Sequence, residues 1–336
     1  MNGQTNLTEN NSELYLRIGE ILTRTRESVI KDINHKIVIT YFEIGRLILE
    51  NEQKGGSRAK YSEQILIKLS ENLTKHFGKG FTVRNLELMR QFNRMYSKSK
   101  SPISKYFKLT WTHYVRLIKV KEDKERSFYE IEAVKNNWSV RELNRQIDSS
   151  IYERLALSRD KEQLIKLSNE GLVVNKIEDS LKEAYVLEFL GLKENLFYSE
   201  NDLEKAIINN LQNFLLELGN GFTFVSRQQK IAISEKSFYI DLVFYHRFLK
   251  AFILIDLKIG GLKHQDLGQM QMYVNYYDRE IKSENENKTV GVVLCKEKDD
   301  TVVKYTLSEN NEQIFAREYK LYLPKKEQFR KLINNS

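Results

Sequence analysis

Two runs of β-branched and aromatic residues stand almost back to back late in the chain, SFYIDLVFYHR (237–247) and KAFILIDLKIG (250–260). Each carries ionisable residues in its apolar stretch. Runs of this composition read as strands, and the short link around Arg247–Lys250 reads as a hairpin turn. Directly opposed residues of an antiparallel pair have a constant sum of numbers. A turn centred near Phe248–Leu249 makes that sum about 497 and sets Asp241 opposite Asp256, with α-carbons about 5 Å apart. Alternation then puts Lys258 on the same face as Asp256. Two carboxylates side by side among apolar residues cost several kcal/mol unless something cationic sits between them. A divalent metal with a lysine meets that need. Hard oxygen donors at this spacing suit Mg²⁺ or Mn²⁺, and such an ion activates water and neutralises charge building on a phosphodiester. Lys258 could orient that water or stabilise the phosphorane. The residues alone leave a second arrangement open, in which Asp241 and Lys258 form a buried salt bridge and Asp256 faces solvent.

Around the hairpin the pattern is α/β. NDLEKAIINNLQNFLLELG (201–219) predicts one amphipathic helix ending at Gly219. The strand-like FTFVSRQQKIAI, the hairpin, the helix QDLGQMQMYVNYYDREI and the strand TVGVVLCKEK follow. The first half is mainly helical. Residues 13–52 and 61–77 carry apolar residues at three- and four-residue spacings, and Thr82 reads as the N-cap of the next helix. Short helices with tight turns are compatible with a helix-turn-helix variant. Residues 148–185 are charged, helix-prone and weakly patterned, and read as the connection. The expected layout is a helical, basic domain over 1–150, a connecting segment over 151–175 and a catalytic α/β domain over 176–336.

Charge divides the same way. Lysine and arginine against aspartate and glutamate give +9 for residues 1–150 and −1 for 151–336. Residues 91–120 carry Arg94, Lys98, Lys100, Lys105, Lys108, Arg116 and Lys119 with no acidic residue, interleaved with Phe92, Tyr96, Tyr106, Phe107, Trp111 and Tyr114. Cations displace counterions from phosphates and aromatic rings add stacking, so the run is a candidate nucleic-acid contact. A solvated basic face over ordinary core aromatics has the same composition.

Other chemistries find little here. The five histidines lack paired metal spacing, and Cys295 rules out an internal disulfide. No phosphate-cradling glycine loop appears. No run approaches the ~18 apolar residues of a membrane helix, and MNGQTNLTENNSE lacks the features of a secretory signal, so the expected location is cytoplasmic. Nothing in the sequence decides the oligomeric state, a homo-oligomer included.

Ile240–Asp241 followed by Asp256-Leu257-Lys258 resembles the PD-(D/E)XK nuclease motif, with Ile240 in place of proline and Asp256 in place of the usual glutamate. The stretches GFTVRNLELMRQF, LTWTHYVRLIKV, ERSFYEIEAVKNNWSVRELNRQI, DLEKAIINNLQNFLLELG, FVSRQQ and GQMQMYVNY resemble the YhcG family of such nucleases over most of the chain. Departures fall at Tyr61, where Trp-Gly is expected, and at His264, where proline is usual. The resemblance implies a restriction-endonuclease-like carboxyl-terminal domain and a nuclease acting on nucleic acid, with double-stranded DNA as the expected partner. It adds Glu204 as the first acidic element and the backbone carbonyl of Leu257 as a metal ligand beside Asp241 and Asp256. Gln269 and Tyr273 stand as a Gln-x-x-x-Tyr element. Arg227, Gln228 and Lys263 are candidate phosphate contacts or solvated groups. An RNA nuclease, or a catalytically silent DNA-binding subunit on the same scaffold, stays open.

Overall fold

Between Gln4 and Lys54 the chain has no proline and only two glycines, Gly19 and Gly45, and it forms one helix, α1 (Gln4–Lys54). The computed structural model describes residues 4–54, 59–97, 107–157, 159, 161–182, 184–192, 198–323, 325–327 and 329–330. They divide into two units, Met1–Leu143 and Asn144–Ser336.

In the first unit, α2 (Ala59–Phe77), α3 (Val83–Tyr96), α4 (Trp111–Leu117) and α5 (Asp123–Lys135) follow α1. Thr82 caps α3 as predicted, its Oγ1 accepting the Asn85 N–H at 3.3 Å. Gly45 is the contact point of α1 with α3. A Cβ there would lie 2.1 Å from the Met89 carbonyl oxygen. Nearby, the buried Asn93 side chain donates to the Phe42 carbonyl at 3.1 Å.

The aromatic residues of the basic run serve this core. Phe92, Phe107 and Tyr114 are buried, and Tyr96 and Trp111 pack onto Phe92 at ring separations of 4.9 and 5.5 Å. Their rings therefore meet one another and are not a stacking surface; Tyr106 lies outside the described residues. The correction has a simple cause. A helical unit of this size buries apolar area chiefly through such rings.

The next helix, α6 (Val140–Asp148), is followed by α7 (Ile151–Ala156), α8 (Lys161–Glu170) and α9 (Ile177–Ser180), and then by strand β1 (Ala184–Val186). The stretch read as a connection is thus largely helical. The predicted helix 201–219 is two helices, α10 (Glu200–Asn209) and α11 (Leu211–Leu218), broken at Asn210, where φ is −119° and ψ is 30°. After them come β2 (Phe222–Ile233), β3 (Lys236–His246), β4 (Ala251–Gly261), α12 (His264–Tyr276), β5 (Val290–Glu297), α13 (Asp300–Thr306) and β6 (Ile314–Lys320).

The six strands form one mixed sheet in the order β1-β6-β5-β4-β3-β2. Tight turns make β2, β3 and β4 antiparallel, while α12 and α13 are the crossovers that leave β4, β5 and β6 parallel. Both faces are covered. Leu242, Phe244, Ile253, Ile255 and Leu257 pack with Leu203, Ile207 and Phe214 of α10 and α11. Val243, Leu254 and Val293 pack with Met270, Tyr273 and Val274 of α12. The sheet is the middle of three layers.

A buried ionic cluster ties α7 and β1 to α11. Glu217 is fully buried and pairs with Arg154, also fully buried. Arg145 lies 3.2 Å from it and Lys182 3.7 Å, and the Val186 N–H donates to it at 3.0 Å. Burial alone would raise the Glu217 carboxyl, but Arg154, Lys182 and Arg145 together hold it down at about 2.

Two stability measurements check these contacts. Gly45→Ala forces α1 and α3 apart and is expected to cost about 2–3 kcal/mol, lowering Tm by roughly 5–10 °C in calorimetry. Glu217→Gln strands two buried cations and is expected to cost about 3–5 kcal/mol at pH 7. A carboxyl depressed in the fold stabilises above its unfolded value near 4.5 and stops doing so as pH falls toward 2. The gap between wild type and Glu217→Gln should therefore shrink by about 3 kcal/mol over that window. A gap independent of pH would exclude the charge as its cause.

Candidate active site

Strands β3 and β4 pair in the register that the constant sum requires, with Leu242 opposite Ile255, Val243 opposite Leu254 and His246 opposite Ala251. The ladder stops at Leu242 and Ile255, one step before Asp241 and Asp256. Beyond it, side chain replaces backbone, and Asp241 Oδ2 accepts the Leu257 N–H at 2.7 Å. A strand's own alternation thus places a carboxylate where the sheet opens.

The β2 side of the fork opens at the same level. Arg227 pairs with Leu242 and Gln229 with Ile240, whereas Gln228 between them leaves the ladder with a left-handed φ of 45°. Its side-chain amide donates to Asp241 Oδ1 at 2.9 Å and to Glu204 Oε2 at 2.6 Å.

Glu204 comes from α10, whose start is fixed by Ser199. The Ser199 Oγ accepts the Asp202 N–H at 3.2 Å, and Asp202 Oδ2 accepts the Ser199 N–H at 2.9 Å. Leu203 and Ile207 bury one face of that helix against the sheet. Residues four apart share a face, so Glu200 and Glu204 reach the strand ends together. Glu204 is 4% exposed, and burial raises its carboxyl, with Asp241 adding to the effect and Gln228 opposing it. Glu200 Oε2 lies 3.7 Å from Lys258 Nζ.

Asp256 is the most enclosed carboxylate of the group, 2% exposed. Burial pushes it up to about 7, the Asp241 charge adds to the rise, and Lys258 opposes it. Its Oδ2 lies 2.7 Å from Lys258 Nζ as an ion pair. This settles the question left by the sequence, because Lys258 pairs with a buried Asp256. Burial would strip Lys258 of its proton, but Asp256 and Glu200 outweigh it and raise its pKa. The two carboxylates beside it favour its charged ammonium form.

From the other layer, Tyr273 is buried, donates to the Tyr239 carbonyl at 2.9 Å and accepts the Gln269 side-chain amide. Its hydroxyl is raised by burial first, with smaller contributions from the charges of Asp256 and Asp241. Arg227 is exposed on β2, and its charge acts on Glu204. Lys263 is exposed at the start of α12, where its N–H donates to Asp266 at 2.9 Å. The fold thus joins Asp241, Leu257, Asp256, Lys258 and Glu204 into one network with Gln228 and Glu200. In the first unit, Arg94, Lys108 and Lys119 are exposed and Arg116 is half-buried. Lys98, Lys100 and Lys105 lie outside the described residues. Reading the sequence left Glu200 out and took Gln228 as a phosphate contact or a solvated group, not as a bridge between Asp241 and Glu204. The four-residue spacing to Glu204 is the signal for Glu200, whereas left-handed backbone at Gln228 leaves none.

Comparison with known proteins agrees along the chain. Residues 178–334 match the YhcG PDDEXK nuclease domain and residues 17–154 the DUF1016 N-terminal domain. A relative from Escherichia coli (strain K12), "Putative nuclease YhcG", is 36% identical over 333 residues, which cover 90% of this chain and 88% of that protein. A solved repair endonuclease from Pyrococcus abyssi is similar over 39% of this chain and 50% of its own, at 17% identity and a TM-score of 0.26. On the two family matches and the relative at 36% identity, the chain belongs to the YhcG family and carries its PDDEXK nuclease domain in the second half.

Proposed function

We propose that this protein is a Mg²⁺-dependent (or Mn²⁺-dependent) endonuclease that hydrolyses phosphodiester bonds in double-stranded DNA and acts in the cytoplasm. The observation that carries the reading is the buried Asp256 carboxylate close to Asp241, with the Lys258 ammonium at 2.7 Å as its ion-pair partner. Two neighbouring carboxylates in a covered sheet are costly with one ammonium between them, and a divalent cation offsets that cost.

The donor set fits a hard divalent ion. Asp241 and Asp256 supply carboxylate oxygens. The Leu257 N–H points at Asp241, and in an extended strand the carbonyl of the same residue faces the same flank. Among the described residues no three His, Cys, Asp or Glu side chains cluster as a metal cage. Two carboxylates with a backbone oxygen suit an ion that keeps several waters. Once bound, the ion would supply Lewis acidity and neutralise charge on the phosphodiester. Lys258, held protonated, stabilises the developing phosphorane charge and orients the attacking water. Tyr273 fixes the side chain of Gln269. Arg227 and Lys263 contact backbone phosphates. No helix among the described residues is long and apolar enough to cross a membrane. The cations of residues 91–120 supply salt-sensitive affinity for the polymer.

Purified full-length protein is to be incubated with plasmid, single-stranded DNA and RNA, each with Mg²⁺, Mn²⁺ or EDTA. Cleavage of plasmid with either ion and none in EDTA is expected. Cleavage of RNA alone would reassign the substrate, and cleavage in EDTA would remove the metal. Asp241→Asn and Lys258→Ala are expected to abolish cutting, by 10³-fold or more, on the order expected when a charge-stabilising group is lost. In EDTA, Asp241→Asn is expected to melt no lower than wild type, because carboxylate repulsion is relieved. Wild-type turnover in either variant would displace the assigned centre.

A separate measurement addresses the basic run. Lys98, Lys100, Lys105 and Lys108 replaced together by alanine should lower the slope of log affinity against log salt by roughly 3–4, about 0.9 per phosphate contact. Turnover at saturating DNA should stay near normal. A slope change well under 1 would make the run a solvated face.

A further inference from the structure

The Gln228 amide nitrogen stands between two carboxylates, 2.6 Å from Glu204 Oε2 and 2.9 Å from Asp241 Oδ1. One nitrogen makes both contacts, so each of its two hydrogens serves a different carboxylate. Reaching that place takes a left-handed backbone at a residue with a side chain, φ 45°, within β2, and gives up the ladder step opposite Asp241. The next residue, Gln229, keeps its pairing with Ile240, and its side chain donates to the Lys230 carbonyl at 3.3 Å. Strained backbone persists where its surroundings hold it, and here two charge-assisted hydrogen bonds do so.

That position has an electrostatic meaning. A point close to two carboxylate oxygens is where a cation gains most. An amide N–H pair, carrying only partial positive charge, is a weak occupant of it. A divalent ion bridging Glu204 and Asp241 and the Gln228 amide cannot be there together, since both need the same few ångströms beside the same two oxygens. Gln228 is exposed, so its side chain has solvent to swing into.

We propose that Gln228 is a displaceable placeholder, whose amide bridges Glu204 and Asp241 in the cation-free protein and is expelled when a divalent cation bridges them. It is a positioning residue, acting on the cation through those two carboxylates. The proposal rests on the cation-dependent reading of the site and adds Glu204 to the donors named there, Asp241, Asp256 and the Leu257 carbonyl.

Titration calorimetry of full-length protein with manganese chloride alone tests this without reference to turnover. Gln228→Gly removes the amide and suits the left-handed backbone. It should bind Mn²⁺ about tenfold more tightly than wild type, the equivalent of hydrogen bonds to charged groups that no longer have to be broken. Gln228→Lys leaves a permanent ammonium in the same place and should bind at least about tenfold more weakly. Gln229→Ala should match wild type. Circular dichroism confirms that each variant is folded. Unchanged or weaker binding in Gln228→Gly overturns the placeholder, because a ligand-holding or merely structural glutamine gives that result. So does Gln228→Lys binding as wild type does. Wild type that binds no Mn²⁺ removes the cation-dependent reading and this proposal with it, whereas wild-type binding left unchanged in Gln228→Gly removes the proposal alone.

Discussion

Carboxylates that belong at the middle of a sheet have to be reconciled with a sheet whose two faces are both covered by helices. Strands β3 and β4 are apolar because α10 and α11 lie on one side and α12 on the other. Desolvated charge inside such a sandwich is affordable only where compensating charge and N–H groups converge. The fold places that convergence where the β3–β4 ladder ends. The Leu257 N–H meets Asp241, the Lys258 ammonium meets Asp256, and α10 brings Glu200 to the lysine and Glu204 to the glutamine. Every layer of the nuclease domain lends a group or a wall to that one place. Burial still pushes the Asp256 carboxyl up to about 7 despite the Lys258 ammonium beside it.

A good part of this was legible in the residues. Alternation and a short turn fix a register arithmetically, and the observed pairs keep the expected sum. Thr82 marked a helix start because a hydroxyl accepting an amide N–H is a local interaction. Where the ladder stops was not legible. Whether Asp241 pairs through its backbone or its side chain depends on how far the strands splay, which alternation and turn length do not specify. Gln228 stood out as a polar residue near the site, but its bridge to the two carboxylates was not legible, since nothing adjacent in sequence demands its left-handed turn. Glu217 was lost in an amphipathic pattern, although three cations from residues 145, 154 and 182 close over it. The break at Asn210 escaped because both halves of 201–219 keep helical periodicity.

The aromatic residues of 91–120 show the opposite error, a compositional signal attached to the wrong surface. Rings interleaved with cations in sequence need not be beside them in space. Helical periodicity separates the two, turning Phe92 and Tyr114 inward while Arg94 and Lys119 stay out. Charge is read more safely than aromaticity from such a run, because a lysine rarely has the option of the core.

The turn Arg247–Lys250 carries a constraint on how members of such a lineage can vary in length. His246 Nδ1 accepts the Leu249 N–H at 3.3 Å, and Asn287 ties down the carbonyls of Leu249 and Lys250 at 2.7 and 2.9 Å. This spacer decides which residue of one strand confronts Asp256 on the other. A single inserted or deleted codon between positions 241 and 256 would shift the register and turn one carboxylate to the opposite helical layer. Substitution is tolerable there and a frame of spacing is not. Insertions and deletions in descendants should therefore accumulate in segments outside the hairpin, and the fifteen-residue interval from Asp241 to Asp256 should behave as a ruler that drift leaves intact.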